Sequence, residues 1–444
     1  MPQESPPFGL NVIGYASANV GLGNSLRQFV YCLLARGEKL RILDITKGTC
    51  TSGFDKNLDE WFVSSASHLP YAINLSIFGA LDLPRFALSP PDGLHVNDRL
   101  NVFFVWWELT SLPQYLIDAA KTFDVLIAGS DFVHSVLSNN ITGIPILRAP
   151  HPVSIPEGIQ PNRKRFKLPE RDFIVFMGFD PHSSIDRKNP FAAIDAFKLA
   201  FPDNPDCHLA IKINYTEGGG KILEENLKLL HAYVESDSQI HLIYESLSYN
   251  DLLSLYASCD TFISLHHSEG LGLVPLEAMR LGKPVVATAW SGNMSYMNYC
   301  NACLVEFDLV PIEASSPSYG SQSLGIECKW AEPNILQAAA WLRKLAEDSS
   351  FRLQLGLKAA TDTNKYHEQA SNVDFVDELK KIWESQEFLP QRDREFFIKQ
   401  ARDSNKRFEY EKYLHKMSPF DRFTHKTKKE LDRRLLWRFH KTAL

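Results

Sequence analysis

Two acidic residues stand on either side of a glycine-containing turn and the start of a predicted helix. Glu269 and Glu277 are eight residues apart, and between them lie Gly270, Leu271, Gly272 and Leu273. A helix N-terminus presents unpaired backbone N–H groups that favour an anion such as phosphate, and glycines let a ligand come close to the backbone. Carboxylates accept hydrogen bonds from paired sugar hydroxyls. The spacing indicates a site for phosphate and sugar hydroxyl groups, and a tight turn followed by a solvent-exposed acid explains the same residues equally well.

The segments around this turn alternate between strand-like and helix-like patterns, which favours parallel sheets covered by helices. Predicted strands cover residues 10–15, 40–45, 101–107, 125–128, 173–177, 208–213, 240–243 and 261–265. Predicted helices cover residues 26–36, 190–201 and 249–257, and another begins near residue 273. Residues 148–172 contain five prolines and no periodicity, as in a linker. We therefore expect two doubly wound α/β domains, residues 1–160 and 161–385.

The end of the chain, residues 386–444, differs in composition from both predicted domains. Residues 391–444 contain 16 Lys and Arg against 8 Asp and Glu, with aromatic residues interleaved. Such a basic helical tail can lie on an anionic membrane surface, or its helices can pack against an acidic protein body. The sequence leaves both alternatives open.

Composition and charge argue against several classes of protein. The 444 residues carry a formal charge of −6, whereas nucleic-acid-binding proteins are usually basic, so we expect no nucleic-acid partner. No apolar run reaches the ~18 residues that a membrane span needs, and the N-terminus lacks the pattern of a signal peptide. We expect a cytoplasmic protein, with peripheral contact at the inner face of the membrane if the tail binds lipid.

The seven cysteines are scattered along the chain, which indicates buried free thiols rather than a disulfide framework. Cys300 and Cys303 have the spacing of a metal-binding pair. A zinc site needs two further ligands at matching spacing, and Cys328 is the one cysteine that follows them. We therefore expect no metal site.

Residues 261–292 as a whole resemble the donor-site signature of family-4 (group 1) retaining glycosyltransferases of the GT-B fold. The matching positions are Glu269, Gly270, Gly272, Leu273, Glu277, Ala278, Met279, Gly282, Pro284, Val285 and Gly292. The resemblance implies two Rossmann-like domains facing across a cleft, the first binding the acceptor and the second a nucleotide-diphosphate sugar. It also implies that Glu269 contacts the donor sugar, that Glu277 binds the ribose, and that backbone amides of the turn meet the phosphates. The predicted donor-binding residues of this turn are Gly270, Leu271, Gly272 and Leu273.

Two further loops agree with the resemblance. Arg187 and Lys188 end the loop after the first strand of the second domain, where the family has a basic pair that holds the donor diphosphate. Cations there would neutralise charge that develops on the leaving diphosphate, and a solvated charge pair is the alternative. Phe179 departs from the pattern, since many members carry an arginine there. Gly21 and Gly23 lie in a loop similar to the family's glycine-rich loop at the donor phosphates, and a tight turn that needs glycine is the alternative.

The acceptor side of the resemblance rests on Trp107 and Glu108, at the end of the predicted strand 101–107. Some family members have a histidine at the position of Trp107. An aromatic ring suits the face of a sugar and a carboxylate suits its hydroxyls, so we expect both residues to bind the acceptor. An aromatic core strand that ends in a capping acid is the alternative.

The resemblance implies a retaining, metal-independent glycosyltransferase that moves a hexose to a saccharide or lipid-linked acceptor in polysaccharide or glycoconjugate biosynthesis. Its catalytic residues would be Glu269, Lys188 and Arg187, with no cofactor besides the nucleotide-diphosphate sugar, which is a substrate. Replacing Glu269 by alanine is expected to stop transfer with little change in stability. Another GT-B activity, such as a nucleotide-sugar epimerase or a sugar phosphorylase, is the nearest alternative, and an inactive scaffold is another.

Overall fold

The first part of the chain forms a parallel six-stranded sheet. The computed structural model describes residues 5–18, 20–46, 56–179, 184–213, 221–234, 237–316, 318–385 and 391–415. The strands are β1 (Leu10–Gly14), β2 (Leu40–Asp44), β3 (Ile73–Ile77), β4 (Leu100–Val105), β5 (Val125–Ala128) and β6 (Ile146–Arg148), in the spatial order β2-β1-β3-β4-β5-β6. The helices are α1 (Gly21–Ala35), α2 (Leu83–Leu88), α3 (Gln114–Ala120) and α4 (Asp131–Asn140). β4 is buried along its whole length, as expected of a parallel sheet covered on both faces.

A second parallel six-stranded sheet follows a connection, residues 149–172, that contains no helix or strand. Its strands are β7 (Phe173–Phe179), β8 (Cys207–Ile213), β9 (Ile240–Ile243), β10 (Thr261–Ser264), β11 (Val285–Thr288) and β12 (Cys303–Val305), in the spatial order β12-β11-β10-β7-β8-β9. The helices are α5 (Ile185–Lys188), α6 (Pro190–Ala200), α7 (Lys221–Val234), α8 (Tyr249–Ser258) and α9 (Leu273–Arg280). Phe166 and Leu168 of the connection are buried in the core of this second domain.

The remaining elements lead the chain back to the first domain. They are β13 (Phe307–Pro311), α10 (Ser321–Leu324), β14 (Lys329–Pro333), α11 (Ile335–Glu347), α12 (Ser349–Ser371), α13 (Phe375–Ser385) and α14 (Gln391–His415), and β13 pairs with β14 in antiparallel fashion. Phe375 and Leu379 of α13 are buried in the core of the first sheet. α14 packs on α2 and α3, where the ring of Phe408 stacks on Tyr115 with centroids 4.0 Å apart.

A series of buried polar side chains crosses the first sheet and ends on α14. Asn11 Nδ2 donates to Asn74 Oδ1 at 2.9 Å, and Asn74 Nδ2 donates to Asn101 Oδ1 at 3.0 Å. Asn101 Nδ2 donates to Asp124 Oδ2 at 3.2 Å. Arg394 of α14 donates from Nη2 to both oxygens of Asp124 at 2.7 Å. Because buried polar groups must find hydrogen-bond partners, this series ties α14 to the sheet.

The prediction of two doubly wound α/β domains is confirmed. β5 and β9 occupy the predicted residues, whereas α1 begins at Gly21, ahead of the predicted residue 26, because the glycine-containing loop runs into its first turn. β3 was not predicted, since the polar residues Asn74 and Ser76 interrupt its apolar pattern, although both are buried. The domain limits at residues 160 and 385 stay predictions, and α13, inside the second range, packs on the first domain.

The structure describes part of the predicted tail. Residues 391–415 form the docked helix α14, as in the packing alternative, while residues 416–444 lie outside the described residues. Membrane contact by the tail therefore stays a prediction. Within the described residues, no helix is long and apolar enough to cross a bilayer.

The cysteine prediction is wrong at one position. Cys300 is exposed, because it lies in the surface turn that precedes β12. The other described cysteines are buried free thiols, namely Cys32, Cys207, Cys259, Cys303 and Cys328. Among the residues that the structure describes, no group of three or more His, Cys, Asp or Glu side chains is arranged to hold a metal ion.

Candidate active site

A cavity of about 1630 Å³ lies between the two domains, at the carboxyl ends of strands from both sheets. The first domain contributes the loop that leads into α1 and the residues after β4. The second domain contributes the end of β7, the short helix α5 and the turn between β10 and α9. Ligands of open parallel sheets bind outside the carboxyl ends of the strands, so this cavity is the candidate active site.

The predicted donor turn forms the wall of the cavity that belongs to the second domain. Gly272 is the N-cap of α9 and adopts φ +85°, a backbone conformation that favours glycine. Its carbonyl accepts a hydrogen bond of 2.6 Å from Tyr296 Oη. The carbonyl of Gly270 accepts one of 2.7 Å from Ser130 Oγ in the first domain. Leu271 is buried beneath the turn, and Leu273 begins α9, so the first turn of that helix opens into the cavity.

The predicted catalytic residues come together in one ion-pair cluster. Lys188 Nζ lies 2.5 Å from Glu269 Oε1, and Arg187 Nη1 lies 3.0 Å from Glu269 Oε2. Glu269 is 8% exposed. Burial alone would raise the pKa of its carboxyl group, but the charges of Lys188 and Arg187 outweigh burial and hold that pKa well below its usual range. Glu269 is therefore ionised at neutral pH.

The two cations differ in how far they reach into the cavity. Arg187 also donates to the carbonyl of Ser268 at 2.8 Å, and 6% of its side chain is exposed. The side chain of Lys188 is 26% exposed. Both border the cavity, but Lys188 is the cation placed to meet an incoming anion, while Arg187 is held among protein groups. Residues 180–183 of this loop lie outside the described residues.

The second predicted carboxylate, Glu277, has a different environment. It is 3% exposed, and its Oε1 accepts hydrogen bonds from Tyr249 Oη at 3.1 Å and from Asn24 Nδ2 at 3.3 Å. Burial raises the pKa of Glu277 to about 7, against the smaller opposing effect of those two hydrogen bonds. The folded protein therefore holds a proton on Glu277 more tightly than the unfolded chain does.

A pH-dependent gain in stability is expected from Glu277→Gln. The raised pKa stabilises the folded protein at acidic pH, and this contribution is lost as the pH rises through about 7. Glutamine does not titrate, so the stability of the variant relative to wild type should rise by roughly 2 kcal/mol between pH 5 and pH 8. Denaturant unfolding at both pH values measures this change, with Glu347→Gln on the exposed end of α11 as the control. A pH-independent difference would show that Glu277 is not buried as described.

The glycine-rich loop of the first domain contains two glycines in different surroundings. A side chain at Gly23 would place its Cβ 2.2 Å from the carbonyl oxygen of Ala18, so close backbone approach requires glycine there. A Cβ at Gly21 would meet nothing within 4 Å, and Gly21 borders the cavity. The tight-turn alternative thus describes Gly23, while Gly21 is open to a ligand. Arg27 holds the loop by donating to the carbonyls of Ala16 and Ala18 at 2.8 and 2.9 Å.

The two predicted acceptor residues lie in different surroundings. The ring of Trp107 is 1% exposed and its indole N–H donates to the carbonyl of Ser111 at 3.0 Å, as in the core-strand alternative. Glu108 borders the cavity, accepts a hydrogen bond of 3.2 Å from Tyr319 Oη, and lies 3.9 Å from Arg187 Nη2. An acceptor role for Trp107 and Glu108 stays a prediction.

Sequence reasoning missed Trp106 and Tyr319, which also border the cavity. Trp106 and Trp107 follow the end of β4, where the alternation of strand side chains no longer predicts which ring meets a ligand. Both tryptophans border the cavity, Trp106 as a partly buried residue and Trp107 as a residue of the core. Tyr319 lies in the connection between β13 and β14, where no motif marks it.

Solved structures define the class of this fold. Sucrose-phosphate synthase from Thermosynechococcus elongatus superposes with a TM-score of 0.59 at 12% identity, over 85% of this chain and 100% of that chain. HepE from Anabaena, in complex with UDP and glucose, superposes with a TM-score of 0.57 at 15% identity, over 85% and 100%. WaaG, a glycosyltransferase involved in lipopolysaccharide biosynthesis, superposes with a TM-score of 0.53 at 16% identity, over 83% and 99%. The fold is GT-B, as predicted.

Sequence comparisons find similarity between part of this chain and known glycosyltransferases. The family model described as glycosyl transferases group 1 matches residues 160–301. The serotype-specific mannosyltransferase WbdA of Escherichia coli is 34% identical over 128 residues, which are 28% of this chain and 14% of that relative. The chain therefore spans about 14% of the length of the curated relatives it matches. Residues 160–301 are thus similar to group 1 glycosyltransferases.

Proposed function

We propose that this protein is a retaining, metal-independent glycosyltransferase of family 4 that transfers a hexose from a nucleotide-diphosphate sugar to a saccharide or lipid-linked acceptor. The observation that carries the proposal is the convergence of complementary groups on one cavity. The N-terminal turns of α1 and α9 border the cavity from the two domains, and Lys188 adds a positive charge to its lining. Glu269 and Glu277 add two carboxylates that can accept hydrogen bonds from hydroxyl groups.

The donor diphosphate would lie between the two helix N-termini, where unpaired N–H groups and the helix dipoles stabilise an anion. Breaking the bond between sugar and phosphate increases the negative charge on the diphosphate, and Lys188 lies where it would offset that charge. This source of positive charge makes the proposed mechanism independent of a metal ion. Glu269, fixed between Arg187 and Lys188, would orient the hexose through its hydroxyls.

The acceptor would enter from the first domain, where Glu108 offers a second carboxylate next to the ion pair of Arg187 and Glu269. Domain closure would exclude water and so limit hydrolysis of the donor. A cytoplasmic location, peripheral membrane contact through the basic tail, residues 386–444, and a part in polysaccharide biosynthesis belong to the same proposal. Because the matched segment resembles a mannosyltransferase, mannose is the first hexose to test.

Thermal-shift measurements with UDP, GDP, ADP and dTDP and their common sugars, with and without EDTA, test the proposal. A rise in Tm with one nucleotide, equal with and without EDTA, would support the donor site and its metal independence. Consumption of the nucleotide sugar without an acceptor, giving an epimer, would favour the epimerase alternative, and a requirement for inorganic phosphate would favour a phosphorylase. No shift with any nucleotide would contradict the proposal and favour the inactive scaffold.

Replacing Lys188 by alanine should weaken binding of the nucleotide diphosphate selected by that screen. Hydrogen bonds to charged groups contribute roughly 1.5–3 kcal/mol, so Kd should rise about 10- to 100-fold in calorimetry. Lys358→Ala, on the exposed side of α12, removes the same charge away from the cavity and should leave Kd unchanged. Equal Kd values for both variants would show that Lys188 does not bind the diphosphate.

A further inference from the structure

The two oxygens of the Glu277 carboxylate differ in their partners. Tyr249 Oη and Asn24 Nδ2 both donate to Oε1, at 3.1 and 3.3 Å. Within the described ranges, no residue donates to Oε2. Glu277 borders the cavity, so Oε2 is the carboxylate oxygen left to accept a hydrogen bond from a ligand. Oε2 therefore favours a ligand that brings hydroxyl groups.

Tyr249 holds Oε1 of Glu277 in place. It is the first residue of α8, and its phenol oxygen lies 3.1 Å from Glu277 and 3.3 Å from the carbonyl of Ser154 in the connection between the domains. Burial and the neighbouring Glu277 carboxylate raise the pKa of Tyr249, so the phenol stays protonated and remains a donor. The carboxylate is the stronger acceptor of that proton.

Asn24 approaches the same oxygen from the other domain. It lies in the first turn of α1, and its side chain crosses the cleft to Glu277, 253 positions away in sequence. The backbone of this region is tied to the connection as well, because Ser154 N donates to Gln28 Oε1 of α1 at 2.8 Å. Asn24 can therefore act on Glu277 only when the two domains are in contact.

We propose that Tyr249 and Asn24 are positioning residues for the nucleotide ribose, which hold Oε1 of Glu277 and turn Oε2 toward the vicinal ribose hydroxyls. Recognition of the ribose then depends on both domains, since Asn24 belongs to the first domain and Tyr249 to the second. The inference rests on the proposed function, because it takes the ligand of the cavity to be a ribonucleotide.

Calorimetric titration of paired ligands tests the inference: UDP against 2′-deoxy-UDP, and GDP against 2′-deoxy-GDP. Wild type should bind the preferred ribonucleotide about tenfold more tightly than its deoxy counterpart, because the deoxy ligand lacks one donor to Oε2. Tyr249→Phe and Asn24→Ala should each reduce this ratio toward one. The Kd of the deoxy ligand should change less than twofold, since it depends little on Oε2.

A matched control variant distinguishes a positioning role of Tyr249 from a loss of folded structure. Tyr244→Phe removes a phenol hydroxyl five positions earlier, where it contacts His231 outside the cavity, and should keep the wild-type ratio. Equal weakening of ribo and deoxy ligands by Tyr249→Phe would indicate a structural role and overturn the inference. A wild-type ratio of one, or variants that keep the wild-type ratio, would overturn it while leaving the proposed function intact. If the wild-type protein bound no nucleotide, the inference and the proposed function would both be contradicted.

Discussion

Replacing Glu269 by glutamine should reduce transfer at least about 100-fold and also lower the stability of the protein. The amide keeps the shape of the side chain but loses the charge that accepts hydrogen bonds from the donor sugar, a loss comparable to removing one preorganised group from an active site. It also deprives Arg187, with 6% of its side chain exposed, of the carboxylate that lies 3.0 Å from its Nη1. Removing one partner of a buried ion pair is strongly destabilising, so we expect a loss of about 3 kcal/mol.

This result differs from the expectation drawn from the sequence, in which Glu269 could be replaced with little change in stability. The structure revises that expectation because Glu269 is buried between two cations rather than exposed in a loop. Chemical denaturation and a transfer assay measure the two effects separately. Glu347→Gln, at an exposed position, is the control, and it should change neither the rate of transfer nor the free energy of unfolding by a measurable amount. Unchanged stability with Glu269→Gln would show that the cluster is open to water.

Replacing Arg394 by alanine should lower the free energy of unfolding by about 3–5 kcal/mol, because it breaks the buried ion pair in which Arg394 donates to both oxygens of Asp124. The Asp124 side chain is fully buried, and besides Arg394 it accepts hydrogen bonds from Asn101 N at 2.8 Å and Asn101 Nδ2 at 3.2 Å. The Arg394 guanidinium also donates to the carbonyl of Val96. Arg394→Ala therefore removes two contacts that hold α14 on the first domain, one with Asp124 and one with Val96. Tm should fall on the order of 10 °C.

The same helix supplies the control for this variant. Arg402→Ala removes an equal charge from an exposed position of α14 and should shift Tm by no more than about 1 °C. Binding of the nucleotide should be unchanged in both variants at temperatures below their Tm, since neither residue borders the cavity. Equal Tm values for the two variants would mean that α14 is not docked on the first domain in solution.

Much of the second domain could be predicted because its signals are local. The run from β10 through the turn to α9 is continuous in sequence, so the apolar strand, the glycines and the helix start appear in order without knowledge of any distant residue. Glu269, Glu277 and Lys188 fall in the cavity for the same reason, since the carboxyl ends of parallel strands meet at one edge of a sheet.

The sequence by itself thus determined the class of fold and indicated residues of the second domain that line the cavity, because hydrophobic period and loop chemistry act over a few neighbouring positions. The tertiary structure alone decided which partners those residues meet. Asn24 reaches Glu277 across the cleft, Trp107 is buried in the core of the first domain, and Arg394 pairs with Asp124 from a helix that composition could not place. Periodicity shows that a face is buried, whereas the group that covers it comes from a distant part of the chain and is set by packing.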